Sequence, residues 1–384
     1  MPPRVINVAQ ADDLRDVVHR TVQALAEGQL VGVPTETVYG IAASADRPDA
    51  VARLAEAKGR AASAPFALAV KGADDAEDYA PQWGPLARRL ARRCWPGPVT
   101  LVVGSDHEGG LTGKLCDGIR QHVCPNGTVG FRAPANRVLQ DVLRMHAGPL
   151  VLTSANASGD PEATDAKGCV DALGDSLGLV LDDGPARYGQ ASSVVRVWPD
   201  RFEMLREGVV GKPTIERLSS YLVVMVCTGN TCRSPMAEGL MRRKLAERLK
   251  VTDDELESRG LLVASAGLSA SNGGRAAAET LALLEERGIS LAAHSSQMLS
   301  DHLIRQADLL LTMTRAHRDA ILGHWPEAAP RVKMMMPGGR DVPDPIGGSI
   351  EVYRQCAEQL EQGIDHHLDA ILKEIRTDAT EGPD

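Results

Sequence analysis

Two α/β units in series are the fold that the sequence predicts: a mixed α/β unit with a twisted sheet over residues 1–211, and a doubly wound parallel sheet over residues 221–376. Three observations carry this. The chain has 384 residues, enough for two or three domains. Strand-like and helix-like runs mix irregularly from Gln29 to about Val210, then alternate strictly from Tyr221 onward, and strict strand–helix alternation is the mark of a parallel sheet wound on both faces. Between the two patterns, Gly211-Lys212-Pro213 opens a short polar stretch, assigned to a linker or short helix over 212–220.

In the first unit, Leu30–Val33, Phe66–Val70, Val99–Val103 and Leu150–Thr153 are short apolar runs of strand length. Asp49–Lys58 and Pro85–Cys94 carry helical periodicity, and the Gly-rich polar stretch 106–118 reads as a loop. In the second unit the predicted order is strand Tyr221–Val226, amphipathic helix Pro235–Leu249, strand Leu261–Ala264, helix Ala276–Glu286, strand Ala307–Met313, helix Ala316–Trp325, strand Arg331–Met335 and a long closing helix Ser349–Ile375. Residues 377–384 read as a disordered tail.

The composition is 43% hydrophobic and 24% charged, as expected for soluble cores, with only 3% aromatics. Residues 1–215 hold 23 basic and 26 acidic side chains, and 216–384 hold 19 and 25, so both units are mildly acidic. That argues against a broad nucleic-acid footprint while leaving room for a local basic pocket. The first residues do not resemble a signal peptide, no apolar run reaches 18 residues, and the seven cysteines lack close metal-type pairing, so a cytoplasmic protein with reduced thiols, no membrane partner and no metal site is expected.

The segment Cys227-Thr228-Gly229-Asn230-Thr231-Cys232-Arg233-Ser234-Pro235 follows a buried strand and opens a helix. Five residues separate Cys227 from Arg233, a spacing that gains meaning from its strand–loop–helix setting. Loop N–H groups and the helix N-terminus converge on one anion site, Gly229 and Asn230 tolerate positive φ, and Pro235 suits the first helical turn. Arg233 can grip two phosphate oxygens, and the same positive potential favours the reactive Cys227 thiolate, to which Ser234 can donate. Breaking a phosphoester or phosphoramidate also needs a proton donor. Asp344, in the loop after the last predicted strand, is the leading candidate, with Asp341 the weaker one.

These residues, with S-A-G at 265–267 and D-P-I-G-G-S at 344–349, resemble the low-molecular-weight protein tyrosine phosphatase family over about 221–372. The resemblance implies Cys227 as nucleophile, Arg233 as phosphate clamp, Asp344 as general acid, loop support from Thr228, Gly229, Asn230, Thr231, Cys232 and Ser234, and no cofactor. Thr231 and G-G-S-I-E-V-Y at 347–353 are closer to the bacterial protein arginine phosphatases. One departure stands out: Ile346 occupies the place after Asp-Pro where the family carries an aromatic. Phosphorylated proteins are the implied substrates, with phosphoarginine and phosphotyrosine both open. Cys232 either pairs with Cys227 on oxidation or fills space. An arsenate reductase would need relay cysteines, and beyond the loop this unit has only Cys356.

Upstream, Pro34-Thr35-Glu36-Thr37-Val38-Tyr39-Gly40 places hydroxyls, a carboxylate and a glycine directly after a strand, a composition suited to a ligand loop. Lys58-Gly59-Arg60 ends a helix with two cations. Thr153-Ser154-Ala155-Asn156 follows another strand, and Ser192, Ser193 and Arg206 sit at strand edges. Together they form a plausible polyphosphate site without a Walker loop.

With W-P-G-P-V-T-L at 95–101 and T-S-A-N-A-S-G at 153–159, these motifs resemble the threonylcarbamoyl-adenylate synthase (YrdC-like) family over about 11–211. The resemblance implies L-threonine, bicarbonate and ATP with Mg2+ as reactants, threonylcarbamoyl-AMP and pyrophosphate as products, tRNA modification at adenosine 37 as the purpose, and tRNA-modification proteins as partners. It assigns Lys58, Arg60, Ser154 and Asn156 to the ATP phosphates, Ser192 and Arg206 to the nucleotide, and Thr35, Tyr39 and Arg132 to threonine. The departures are Ala61 for a proline, Ala135-Asn136 for His-Pro, and Glu207 for a proline. A nucleotide- or RNA-binding module beside a phosphotyrosine phosphatase is the competing reading.

Overall fold

The computed structural model describes residues 2–59, 65–105 and 109–374. The expectations for Arg60, Ala61 and the tail at 377–384 lie outside the described residues. The chain divides into two compact units, Met1–Ile215 and Glu216–Asp384.

The first unit is built on ten strands among the described residues: β1 (Arg4–Asn7), β2 (Val31–Val33), β3 (Gly40–Ser44), β4 (Ala67–Ala69), β5 (Val99–Gly104), β6 (Thr128–Arg132), β7 (Leu150–Ser154), β8 (Leu179–Asp182), β9 (Ser193–Val197) and β10 (Phe202–Arg206). They form one mixed sheet in the order β1-β8-β2-β3-β7-β4-β6-β5-β9-β10. Its helices are α1 (Leu14–Ala26), α2 (Pro48–Ala57), α3 (Ala73–Tyr79), α4 (Pro85–Cys94), α5 (Asp117–Val123), α6 (Arg137–Met145) and α7 (Ala166–Leu173). The stretch 106–118 is not simply a loop. Leu111–Lys114 winds a 3-10 turn and α5 begins at Asp117. The buried Thr112 hydroxyl ties the turn down by donating to Tyr79 O at 2.7 Å.

Helix α1 is capped by Asp13 and buries Val17, Val18, Thr21, Ala24 and Leu25, one stripe at helical spacing. With α6 it covers part of one sheet face, including Val31, Ala42, Ala69 and Leu152. Side chains two residues along a strand share a face. Ala67 and Ser154 therefore continue that face from Ala69 and Leu152, and they line an open cavity of about 440 Å³.

A helix, α8 (Lys212–Ser219), occupies most of the stretch expected to be linker. The second unit then runs β11 (Tyr221–Cys227), α9 (Arg233–Leu249), β12 (Leu261–Gly267), α10 (Ala278–Glu286), α11 (Asp301–Gln306), β13 (Leu309–Thr312), α12 (Arg315–His324), β14 (Val332–Met334) and α13 (Ile350–Lys373). Among the described residues its four strands are all parallel, in the order β12-β11-β13-β14. Val223, Met225 and Cys227 face the core shared with α9, α10 and α13, while Leu222, Val224 and Val226 face that of α11 and α12. Burial on both faces explains why β11 is a continuous apolar run. The chain reverses its winding beside β11, and in such sheets ligands bind outside the strand ends at that switch point. Helix α9 departs from the amphipathic expectation: its first two turns, Arg233 to Leu240, are buried on almost every side because sheet, α10 and α13 enclose them.

Candidate active sites

In the second unit the loop 228–232 joins β11 to α9 at that switch point. Of the two residues expected to take positive φ, only Asn230 does, at +55°. The turn is fixed by the Asn230 side chain. Its Nδ2 donates to Ser234 Oγ at 2.9 Å and to Ser265 Oγ at 2.8 Å, and its Oδ1 accepts from Gln297 N at 2.9 Å. Ser265 passes its own hydrogen to Glu238 Oε2 at 2.6 Å. Burial pushes the Glu238 carboxyl above the usual carboxylate range, and the Ser265 hydrogen bond opposes this.

Because Ser234 accepts from Asn230, its one hydrogen is left for Cys227 Sγ at 3.0 Å or Ala266 O at 3.3 Å. Cys227 Sγ also accepts from Asn230 N at 3.2 Å. The buried sulfur thus accepts from the Asn230 amide and has the Ser234 hydroxyl within hydrogen-bond reach. Gly267 makes the packing possible, since a Cβ there would sit 2.4 Å from Thr228 O and 2.9 Å from Asn230 N.

Arg233 opens α9 with its side chain buried. Its Nη1 donates to Val342 O at 3.2 Å and its Nη2 to Asp344 Oδ2 at 2.5 Å, while Nε is buried and has no partner among the described residues. Asp344 is 42% exposed, so its carboxyl borders both solvent and the clamp. Asp341 is differently engaged: its Oδ1 accepts from Arg315 N at 2.8 Å, at the start of α12. Cys232 is buried beside the Tyr353 hydroxyl at 3.5 Å, and burial drives the Tyr353 hydroxyl well above its ordinary range.

In the first unit the loop 34–39 connects antiparallel β2 and β3, and the register Gly40↔Ser154 sets it beside the 153–156 loop. Gly40 allows this approach, because a Cβ would meet Thr153 O at 3.0 Å. Arg132, at the end of β6, donates to Glu36 Oε1 at 2.7 Å and Thr37 Oγ1 at 2.9 Å, and Glu36 Oε2 accepts from Ala135 N at 2.8 Å. Thr35 Oγ1 donates to Val38 O at 2.6 Å, so the 2.8 Å contact between the two threonines has Thr37 as donor.

Thr35, Tyr39, Arg132, Ser154, Ser192 and Arg206 line the 440 Å³ cavity. Lys58 and Asn156 are not among its lining residues. The buried Lys58 ammonium donates to Ser154 O, Asn156 O and Asn156 Oδ1, and Ser154 Oγ donates to Asn156 Oδ1 at 2.7 Å. In this structure the two side chains bond within and to the 153–156 loop. Tyr39 lines the cavity and is also bonded within the unit. Its hydroxyl donates to Gly184 O at 2.7 Å and accepts from Asp183 N at 3.1 Å, and burial raises its pKa to about 12. Arg206 donates to Ser192 O at 2.8 Å. Asn136, at the departure from His-Pro, caps α6 through Leu139 N and reaches Asp183 Oδ2 at 2.8 Å.

The sequence reading missed Glu36 as the partner of Arg132, and missed Glu162 and Arg196 on the cavity wall. Glu36 lay inside a quoted motif and had a signal; the other two had none. Among the described residues no three His, Cys, Asp or Glu converge to hold a metal, and no helix is long and apolar enough to cross a membrane.

The family described as Telomere recombination (Sua5_yciO_yrdC) matches residues 23–208, and the family described as Low molecular weight phosphotyrosine protein phosphatase matches residues 222–378. A Mycobacterium leprae (strain TN) protein provisionally named threonylcarbamoyl-AMP synthase is 35% identical over 221 residues, 58% of this chain and 94% of that protein. The threonylcarbamoyl-AMP synthase of Pyrococcus abyssi (strain GE5 / Orsay) is 31% identical over 232 residues, 59% of this chain and 64% of that protein. A protein-arginine-phosphatase of Geobacillus stearothermophilus is 38% identical over 158 residues, 40% of this chain and 98% of that protein. The chain belongs to both families.

Within the phosphatase-family unit, Ile346 is 69% exposed, two residues past Asp344. An aliphatic side chain therefore stands free at the place where the family's aromatic is expected. Thr231 is half-buried, its hydroxyl 3.6 Å from Cys232 Sγ.

Proposed function

We propose that the chain is a bifunctional enzyme. Its phosphatase-family unit removes phosphoryl groups from proteins, and its synthase-family unit makes threonylcarbamoyl-AMP for tRNA modification. In the phosphatase unit the observation that carries the reading is the buried Cys227 sulfur, accepting from Asn230 N and within reach of the Ser234 hydroxyl, beside the buried Arg233. Cys227 attacks phosphorus, and the S–P bond forms as the bond to the leaving group breaks. Asp344 gives the leaving group its proton. Water then attacks the phosphocysteine, Asp344 takes a proton from it, and phosphate leaves as the thiolate is restored. Arg233 would release Asp344 to grip two phosphoryl oxygens, with its unpartnered Nε turned to that ligand.

The favoured phosphatase substrate is phosphoarginine. The Thr231 hydroxyl suits a polar guanidinium better than a phenyl ring, and the exposed Ile346 offers an apolar flank to an aliphatic stem without a stacking face.

In the synthase unit, threonine, bicarbonate and ATP would give threonylcarbamoyl-AMP, pyrophosphate and water. The cavity combines Arg132 and Arg206 with hydroxyl donors and is large enough for a small substrate beside a nucleotide. Arg132 would take the threonine carboxylate, Ser154, Ser192 and Arg206 would meet the nucleotide, and Lys58 and Asn156 would hold Ser154 in place. Mg2+ would be carried mainly by the triphosphate, the usual habit of that ion.

The test is to assay the purified chain for pyrophosphate release dependent on threonine and bicarbonate, and for hydrolysis of matched phosphoarginine and phosphotyrosine peptides. Cys227→Ser should abolish hydrolysis and leave pyrophosphate release intact. Hydrolysis persisting in that variant would overturn the nucleophile, and absent pyrophosphate release from wild type would favour a binding module. If Thr231→Ile leaves the peptide preference unchanged, Thr231 is not the selector.

A further inference from the structure

One buried polar side chain beside the cysteine loop has no part in the chemistry above. His317, on α12, is 7% exposed. Its Nε2 lies 2.9 Å from Thr228 Oγ1, and its Nδ1 is buried with no hydrogen-bond partner among the described residues. Thr228 is the residue after the nucleophile and is itself exposed, and His317 is the only hydrogen-bond partner of its hydroxyl among the described residues.

The two ring nitrogens are not equivalent here. A neutral imidazole carries one hydrogen. Placed on Nδ1, it would be a buried donor with nothing to bond, and a buried orphan donor is rarer and costlier than an under-used acceptor. Placed on Nε2, it is donated to Thr228 Oγ1, and only a bare lone pair on Nδ1 goes unmatched. Burial, and then the charge of the nearby Arg233, push the His317 pKa down, so the ring stays neutral near pH 7. A hydroxyl that accepts from His317 must send its own hydrogen elsewhere. The exposed side of Thr228, at the mouth of the loop, is the place left for it.

We infer that His317 is a positioning residue of the phosphatase site, donating from Nε2 to Thr228 so that the Thr228 hydroxyl hydrogen is presented to the phosphoryl group in the loop. This rests on the phosphatase reading of the same unit. It adds to the loop N–H groups a side-chain donor whose direction is set from α12, a helix held in place by the Thr314 cap and by Asp341.

The experiment uses the full chain. In wild type, Thr228→Val, His317→Phe, His317→Gln and the Thr228→Val/His317→Phe double variant, the inhibition constant of orthovanadate is measured against phosphatase turnover, with thermal unfolding as a folding check. Loss of one hydrogen bond to a charged group predicts vanadate inhibition about tenfold weaker in Thr228→Val and in His317→Phe. The double variant should be no weaker than either, because both remove the same bond. His317→Gln keeps an N–H near the Nε2 position and should return to within about threefold of wild type. Unchanged vanadate inhibition in a folded His317→Phe, or losses that multiply in the double variant, would overturn the inference. Nitrogen-15 NMR of the imidazole gives a second reading that does not need turnover: the inference requires the neutral Nε2–H form, and an Nδ1–H ring or an imidazolium at pH 7 refutes it. If wild type hydrolyses no phosphate monoester or phosphoarginine, the phosphatase reading fails, while the tautomer measurement still decides how His317 bonds to Thr228.

Discussion

Gly267→Ala should damage the phosphatase site more than its place outside the cysteine loop suggests. An alanine Cβ would stand 2.4 Å from Thr228 O, where ordinary contact begins near 3.4 Å, and 2.9 Å from Asn230 N. Both neighbours are backbone, so no rotamer change can relieve the clash, and the loop must move by about 1 Å. Forcing one methyl into a packed site costs about 1–3 kcal/mol. For a unit of this size that lowers the melting temperature by roughly 2–12 °C. The effect on turnover should be larger, because a displacement of about 1 Å in a catalytic constellation can cost about 10²-fold. By contrast, a Cβ on Gly229 would meet only Thr231 Oγ1 at an ordinary 3.6 Å, and that glycine does not use positive φ. Gly229→Ala should therefore keep the melting temperature within about 2 °C of wild type, a change under about 1 kcal/mol. The assay is phosphatase kcat/KM with calorimetric unfolding, and pyrophosphate release by the synthase-family unit serves as the internal control. A Gly267→Ala variant with kcat/KM within twofold of wild type and unchanged melting would refute the steric reasoning.

Asp344→Asn should slow the first chemical step by about 10²–10⁴-fold, less for leaving groups that need little protonation. Asp341→Ala should instead act mainly on stability, by about 0.5–2 kcal/mol as for a lost helix cap, and denaturant titration separates the two. Lys58→Met should suppress pyrophosphate release and also destabilise its own unit, because Ser154 O, Asn156 O and Asn156 Oδ1 lose their shared donor. A loss of activity with no change in melting would mean that Lys58 acts on substrate alone. Tyr39 and Tyr79, both raised to about 12 by burial, remain protonated in the folded protein after the unfolded chain has begun to ionise near 10. Stability should therefore be steady with respect to these groups below pH 10 and fall between pH 10 and 12, more shallowly in Tyr79→Phe, as read from urea unfolding across that range.

The two-unit plan, the strand order of the second unit with every helix except α11, and the motif residues of both units were legible in the sequence, because each is written in local terms. A buried parallel strand is an unbroken apolar run, and β11 announces both itself and the loop that follows. A nucleophile, a phosphate clamp or a proton donor must be a particular residue type at a particular place, so Cys227, Arg233 and the two carboxylates Asp344 and Asp341 could be proposed before any fold was known. Contacts between segments far apart in sequence were not legible. The choice between Asp344 and Asp341 depended on which carboxylate reaches Arg233 and which is spent on the start of α12. The inward turn of Lys58 to the 153–156 loop, 96 to 98 residues away, and the pairing of Glu36 with Arg132 arise only when the β2–β3 hairpin, β6 and β7 settle into register. His317 carries no sequence signal, since a histidine on a short helix is ordinary. It gains a role only because the parallel sheet brings the start of α12 beside the residue after Cys227. Sequence determines which chemical groups are present and in what local conformation; tertiary packing decides which of them meet, since burial and register fix partners that spacing along the chain cannot specify.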